Sequence, residues 1–167
     1  MTRDEIVLTL TELGRRLADR GTCGEMYVVG GAAIALAFDE RRTTRDIDAV
    51  FEPKATIYAI AREIGEERDL GDGWLNDAVK GFLGGHDAGA SVALELPGLR
   101  VSTASPRMLL AMKVLAHRAG EDDDDLRLLA GMLGLRSAAA VLEVAHQVYG
   151  DRLDVAARFF VEQALDA

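Results

Sequence analysis

The stretch that decides the fold is Glu25-Met26-Tyr27-Val28-Val29-Gly30-Gly31, followed after a short apolar run and a basic loop by Thr43-Thr44-Arg45-Asp46-Ile47-Asp48. Tyr27, Val28 and Val29 favour extended backbone, so Glu25 to Val29 reads as a short buried strand that the glycine pair stops. Ala32 to Phe38 is small and apolar throughout and suits a helix packed tightly on that strand, whereas Arg41 to Arg45 is a polar, basic connection. Ile47 to Phe51 restores strand character, and Pro53 closes it. Residues two apart on a strand face the same way, so Asp46 and Asp48 are expected side by side. Two adjacent carboxylates repel, and one tends to keep its proton unless a cation intervenes. Magnesium takes oxygen ligands and is held by one or two carboxylates together with substrate phosphates, which removes the conflict. From the other side, a strand that ends in Gly-Gly and opens a helix leaves backbone N–H groups where a phosphate can approach without meeting a Cβ. Each feature alone has a plainer explanation, since glycine pairs let strands turn into helices and an isolated Asp-x-Asp is commonly two solvated carboxylates. The ordered combination of strand, Gly-Gly, helix, basic loop and Asp-x-Asp strand is more specific.

Working outward, Ile6, Leu10, Leu13 and Leu17 recur at three to four residues between charges, which predicts an amphipathic helix over 3–19 ended by Gly21. Thr56 to Arg68 predicts a second, with Ile57, Ile60, Ala61 and Ile64 on one face. Residues 69–90 are richer in glycine and read as loop, including Trp74-Leu75-Asn76-Asp77. Ser91 to Leu96 and Leu99 to Thr103 flank the turn dipeptide Pro97-Gly98 and predict a hairpin. Ser105-Pro106 is an N-cap followed by a first-turn proline, which starts a helix to about His117. From Leu126 the pattern is helical in three segments, broken near Gly134 and Gly150. The expected class is α/β (α+β): a small mixed sheet flanked by helices over 1–104, and a C-terminal helical part over 105–167 packed on the same body as a single domain.

The 167 residues are 49% hydrophobic, enough for one globular body with a substantial core. The longest apolar stretch, Met26 to Phe38, is shorter than the roughly 20 residues a membrane-spanning helix needs. The opening Arg3-Asp4-Glu5 lacks the pattern of an export signal, so the expectation is a cytoplasmic protein with no membrane partner. Cys23, the only cysteine, excludes an intramolecular disulfide and is expected to pack as a small apolar side chain. His86, His117 and His146 stand far apart without metal-binding spacing. The net charge of -9 repels nucleic acid, so a polyanionic substrate has to be met by a local basic patch, for which Arg41, Arg42 and Arg45 are candidates; a solvated loop is the plainer alternative. Only Lys54, Lys80 and Lys113 of the 19 basic residues are lysines. Lys113 shares a helix face with Leu109 and Leu110, so its ammonium either points inward or snorkels to water over apolar surface. In the acidic run Glu121 to Asp125, helix capping and solvated charge explain most of the residues, but five in succession exceed what capping needs.

The order Gly30-Gly31, then Thr44-Arg45-Asp46-Ile47-Asp48, resembles the signature of the polymerase-β-like nucleotidyltransferase superfamily. More narrowly, Trp74-Leu75-Asn76-Asp77 with Lys80-Gly81-Phe82, the helix Leu109-Leu110-Ala111-Met112-Lys113, and Asp122-x-x-Asp125-Leu126 are similar to the AbiEii and MenT-type toxin nucleotidyltransferases of bacterial toxin-antitoxin systems. The resemblance runs from about residue 25 to the end and implies the minimal nucleotidyltransferase fold. It implies that Asp46 and Asp48 bind magnesium, with manganese as the alternative ion. Gly30, Gly31, Thr44 and Arg45 would bind the nucleotide, Lys113 would contact the triphosphate, and an aspartate of the Asp122 to Asp125 stretch, with Asp122 and Asp125 as the candidates that match the motif, would complete the catalytic set. Glu121 stands where the family often has a basic residue, which leaves open which aspartate is functional. The superfamily often has a third carboxylate on a later strand, for which Glu95 is a candidate, although an outward-facing polar residue is the favoured reading.

The implied activity is transfer of a nucleoside monophosphate from a nucleoside triphosphate to the 3' end of tRNA, blocking aminoacylation and translation, with a cognate antitoxin protein as partner. A nucleotidyltransferase acting on a small molecule such as an aminoglycoside is the alternative, because an acidic run suits a cationic acceptor. A catalytically inactive binding module of the same fold is the third reading.

Overall fold

In the computed structural model, which describes residues 1–166, helix α1 (Arg3–Asp19) begins with a reciprocal cap. Glu5 N–H donates to Thr2 Oγ1 at 3.3 Å and Thr2 N–H to Glu5 Oε2 at 2.7 Å, which occupies two of the amides a helix start leaves open. Ile6, Leu10, Leu13 and Leu17 form its inner face and are fully buried. The elements that follow are β1 (Gly24–Val28), α2 (Gly30–Ala37), β2 (Ile47–Glu52), α3 (Lys54–Arg68), β3 (Leu75–Asn76), β4 (Ser91–Leu96) and β5 (Leu99–Thr103). Helices α4 (Pro106–Ala116), α5 (Asp123–Met132), α6 (Ala138–Tyr149) and α7 (Val155–Asp166) complete the chain.

The five strands form one mixed sheet in the order β3-β2-β1-β5-β4. β1 runs antiparallel to β2 and parallel to β5, β2 is parallel to β3, and β4 and β5 form the expected antiparallel hairpin. This is the mixed sheet flanked by helices that the sequence predicts. On β2 the alternation places Ile47, Ala49 and Phe51 in the core and leaves Asp48 and Val50 half-buried on the other face. β3 is a strand inside a stretch that reads as loop. Its two residues have no β-rich run around them, and it exists through pairing with Ile47 and Asp48 rather than through local preference. Trp74 anchors it from behind, buried against Gly65 with its indole N–H donating to Ala61 O at 2.9 Å. Cys23 is exposed, contrary to the expectation from its residue type; it lies in the polar turn between Gly21 and β1, outside the buried strand.

Contacts divide the chain into two units, Met1–Gly81 with Ala90–Ala104, and Phe82–Gly89 with the chain from Ser105 onward. Phe82–Gly89, within the glycine-rich stretch that reads as loop, belongs with the helices. Long-range side-chain hydrogen bonds tie it there and leave no local trace in the sequence. Tyr149 Oη donates to Phe82 O at 2.5 Å, and Ser105 N–H donates to Asp87 Oδ2 at 2.8 Å. In this second unit Ser105 caps α4 as predicted, its Oγ accepting from Met108 N–H at 3.1 Å, with Pro106 in the first turn. Its core is built from Val114, Leu126, Leu129, Val141, Ala145 and Val161. No helix among the described residues is long and apolar enough to cross a membrane.

Burial pushes the Tyr149 phenol up to about 12. Its folded value lies above the unfolded value of about 10, so the neutral phenol's contribution is complete below pH 10 and is lost as pH rises through about 12. Denaturant unfolding of wild type and Tyr149→Phe from pH 9 to 12 is expected to show a steeper alkaline loss for wild type. Equal slopes would count against this tyrosine as the titrating group.

Candidate functional site

The antiparallel register of β1 and β2 sets the geometry around the two aspartates. Val28 lies opposite Ala49, and the next N–H, of Val29, donates to Asp48 O at 2.9 Å. The chain then turns at Gly30, whose φ of +63° strains any residue with a side chain, and enters α2. A Cβ built on Gly30 would stand 3.2 Å from Asp48 Oδ2, and one on Gly31 would stand 3.0 Å from Thr44 Oγ1. The glycine pair therefore lies directly against the Thr44 to Asp48 segment, as the sequence suggested. Val29, at the N-cap of α2, offers no side-chain cap, and the first turn holds no acidic residue. The amides and positive dipole end of α2 thus lie close to the Asp48 carboxylate.

Asp46 immediately precedes β2, and both aspartates are half-buried. Thr44 is fixed at several points. Its Oγ1 donates to Asp46 O at 3.0 Å, its N–H donates to Met1 O at 3.0 Å, and its carbonyl accepts from the amino group of Met1. Arg45 and Arg41 are exposed and Arg42 is half-buried. Carboxylate oxygens are the ligands magnesium prefers, and with no Cβ on residue 30 the Asp48 carboxylate lies close against the start of α2, so the chemistry of these residues suits such an ion. Among the described residues no group of three or more His, Cys, Asp or Glu gathers around a metal position; two carboxylates with phosphate oxygens are a smaller protein set than that. A cavity of about 600 Å³ in the same unit lies between α3 and the 69–75 segment, lined by Arg62, Glu66, Asp69, Asp72 and Trp74 among others and by neither Asp46 nor Asp48.

Lys113, Asp122 and Asp125 meet one another inside the helical unit. The Lys113 ammonium is 2.6 Å from Asp122 Oδ1 and 2.8 Å from Asp125 Oδ2, with all three side chains buried. Arg118 clasps Asp122 from the solvent side, its Nε donating to Oδ2 at 2.9 Å and its Nη2 to Oδ1 at 3.1 Å. The snorkelling alternative for Lys113 is excluded, because its ammonium lies among carboxylates and not in water. A three-residue spacing turns Asp122 and Asp125 to the same side at the start of α5, while Glu121 and Asp124 stay exposed. Glu95 is exposed and lies 3.9 Å from Arg100, the outward-facing role favoured for it. Sequence reasoning gave no role to Asn76, noted only within Trp74-Leu75-Asn76-Asp77, or to Met1: Asn76 Nδ2 donates to Asp46 Oδ2 at 3.4 Å, and Met1 pins Thr44. Neither contact leaves a local signal, since each residue reaches its partner across a long stretch of chain.

Removing one partner from a buried ion cluster strands the others. Lys113→Ala is therefore expected to destabilise the protein by about 3–5 kcal/mol, measured by denaturant unfolding. A loss no larger than that of an exposed lysine would show that the cluster is not formed in solution.

No protein-family model, no curated protein and no solved structure matches this chain.

Proposed function

We propose that the protein is a magnesium-dependent nucleotidyltransferase whose site is the Asp46-Ile47-Asp48 segment against the start of α2. The supporting observation is the placement of Gly30 and Gly31, which brings Asp48 Oδ2 and Thr44 Oγ1 close to the start of α2. Carboxylates suited to a cation and amides suited to a phosphate then adjoin, as a metal–triphosphate substrate requires.

Asp46 and Asp48 hold the metal, and the α2 amides, Thr44 and the exposed Arg45 hold and orient the phosphates. Bound magnesium supplies positive charge that offsets the negative charge on the phosphate oxygens. An acceptor hydroxyl attacks the α-phosphorus in line, a new P–O bond forms, the bond to pyrophosphate breaks, and a carboxylate other than the metal-holding pair accepts the hydroxyl proton. Arg41, Arg42 and Arg45 give local positive charge that a net charge of -9 does not. Family resemblance adds Lys113 and one of Asp122 and Asp125. For Lys113 to take a phosphate, that anion has to displace a carboxylate from its ammonium, so the three stand first as an internal charge cluster.

For the acceptor we propose the 3' end of tRNA, on the resemblance to toxin nucleotidyltransferases, with a cognate antitoxin as protein partner and the cytoplasm as its place of action. The small-molecule alternative loses part of its support, because Asp122 and Asp125 face Lys113 and are not displayed to a cationic acceptor.

Incubation with labelled nucleoside triphosphates, magnesium and total tRNA is expected to place label on RNA. Label only on an added aminoglycoside would move the assignment to small molecules, and no transfer by wild type would favour a binding module. Asp48→Ala is expected to abolish transfer and to leave the circular dichroism spectrum unchanged; retained transfer would remove the carboxylate pair from the mechanism.

A further inference from the structure

The two-residue strand β3 is held far more firmly than its length explains. Ile47 N–H donates to Trp74 O at 2.7 Å, and the Trp74 indole is locked to α3 through Ala61 O. On the other side Asp77 accepts from Tyr58 Oη at 2.6 Å and pairs with Lys54. Asn76 lies between these anchors, opposite Asp48 in the parallel register, and its side chain extends to Asp46.

The orientation of the amide is fixed. Ala78 N–H donates to Asn76 Oδ1 at 3.2 Å, and an N–H can be met only by the oxygen, so the NH₂ end faces Asp46 Oδ2. At 3.4 Å this bond is long, and it draws its strength from a charged acceptor. A donor on one carboxylate oxygen limits rotation of the group and keeps the other oxygen available. Partners of this kind orient metal-binding carboxylates and raise affinity without touching the ion.

We propose that Asn76 is a positioning residue for Asp46, holding its carboxylate in the orientation that takes the divalent cation; this rests on the assignment of Asp46 and Asp48 as metal-binding residues. An asparagine supplies a donor without adding a third negative charge to the pair. Through the single segment 74–78, the packing of Trp74 and the Asp77 contacts to Tyr58 and Lys54 set where that donor stands.

The test is titration of the full chain with Mn²⁺ alone, with free Mn²⁺ read from its paramagnetic resonance signal. Wild type, Asp46→Asn, Asn76→Ala and Asn76→Ser are compared, and circular dichroism and thermal midpoints are recorded for each. Asn76→Ser keeps a hydroxyl that can accept from Ala78 N–H but is too short to reach Asp46, so it retains the turn while removing the donor. Expected are binding by wild type, loss in Asp46→Asn, and affinity about 10- to 100-fold weaker in both Asn76 variants, with a wild-type spectrum for Asn76→Ser. Wild-type affinity in the Asn76 variants beside loss in Asp46→Asn would overturn the role of Asn76 and leave the carboxylate pair standing. Absence of Mn²⁺ binding by wild type would overturn both.

Discussion

The pairing of β1 with β2 is the constraint on which the candidate site depends. Its register places Val28 opposite Ala49 and lets Val29 N–H reach Asp48 O, so the strand that ends in Gly30-Gly31 delivers the start of α2 to the second aspartate. A slip of one residue would turn Asp48 into the core and expose Ile47 and Ala49, which are fully buried. The hydrophobic cost of that exchange fixes the register, and the register fixes the site. The same pairing leaves the other edge of β2 free for β3, and β3 carries Asn76 to Asp46.

The two units handle charge in different ways. In the sheet unit Asp46 and Asp48 are half-buried, Asp48 close to the start of α2 and Asp46 with an asparagine donor. In the helical unit Asp122 and Asp125 are buried with Lys113, and Arg118 covers Asp122, so the negative charge is matched where water is excluded. Burial with a matched counter-charge suits internal structure, whereas half-burial keeps a carboxylate within reach of solvent.

The helices and the hairpin were legible because their signals are local. Spacing of three to four set α1 and α3, Ser105-Pro106 set the start of α4, and Pro97-Gly98 set the β4–β5 turn. The glycine pair and the Asp-x-Asp segment were legible for the same reason, and the structure brings them together. β3, the exposure of Cys23, and the membership of Phe82–Gly89 were not, because pairing partners or long-range hydrogen bonds decide each of them.

The sequence by itself determined the helices, the four longer strands, their order and the residue types that can meet a cation and a phosphate, since these follow from periodicity and from chemistry carried by neighbours in the chain. Only the tertiary structure decided that Lys113, Asp122 and Asp125 are buried against one another while Asp46 and Asp48 stay half-buried. Lys113 meets Asp122 and Asp125, and Asn76 meets Asp46, across turns and strand pairings whose geometry comes from packing the whole core.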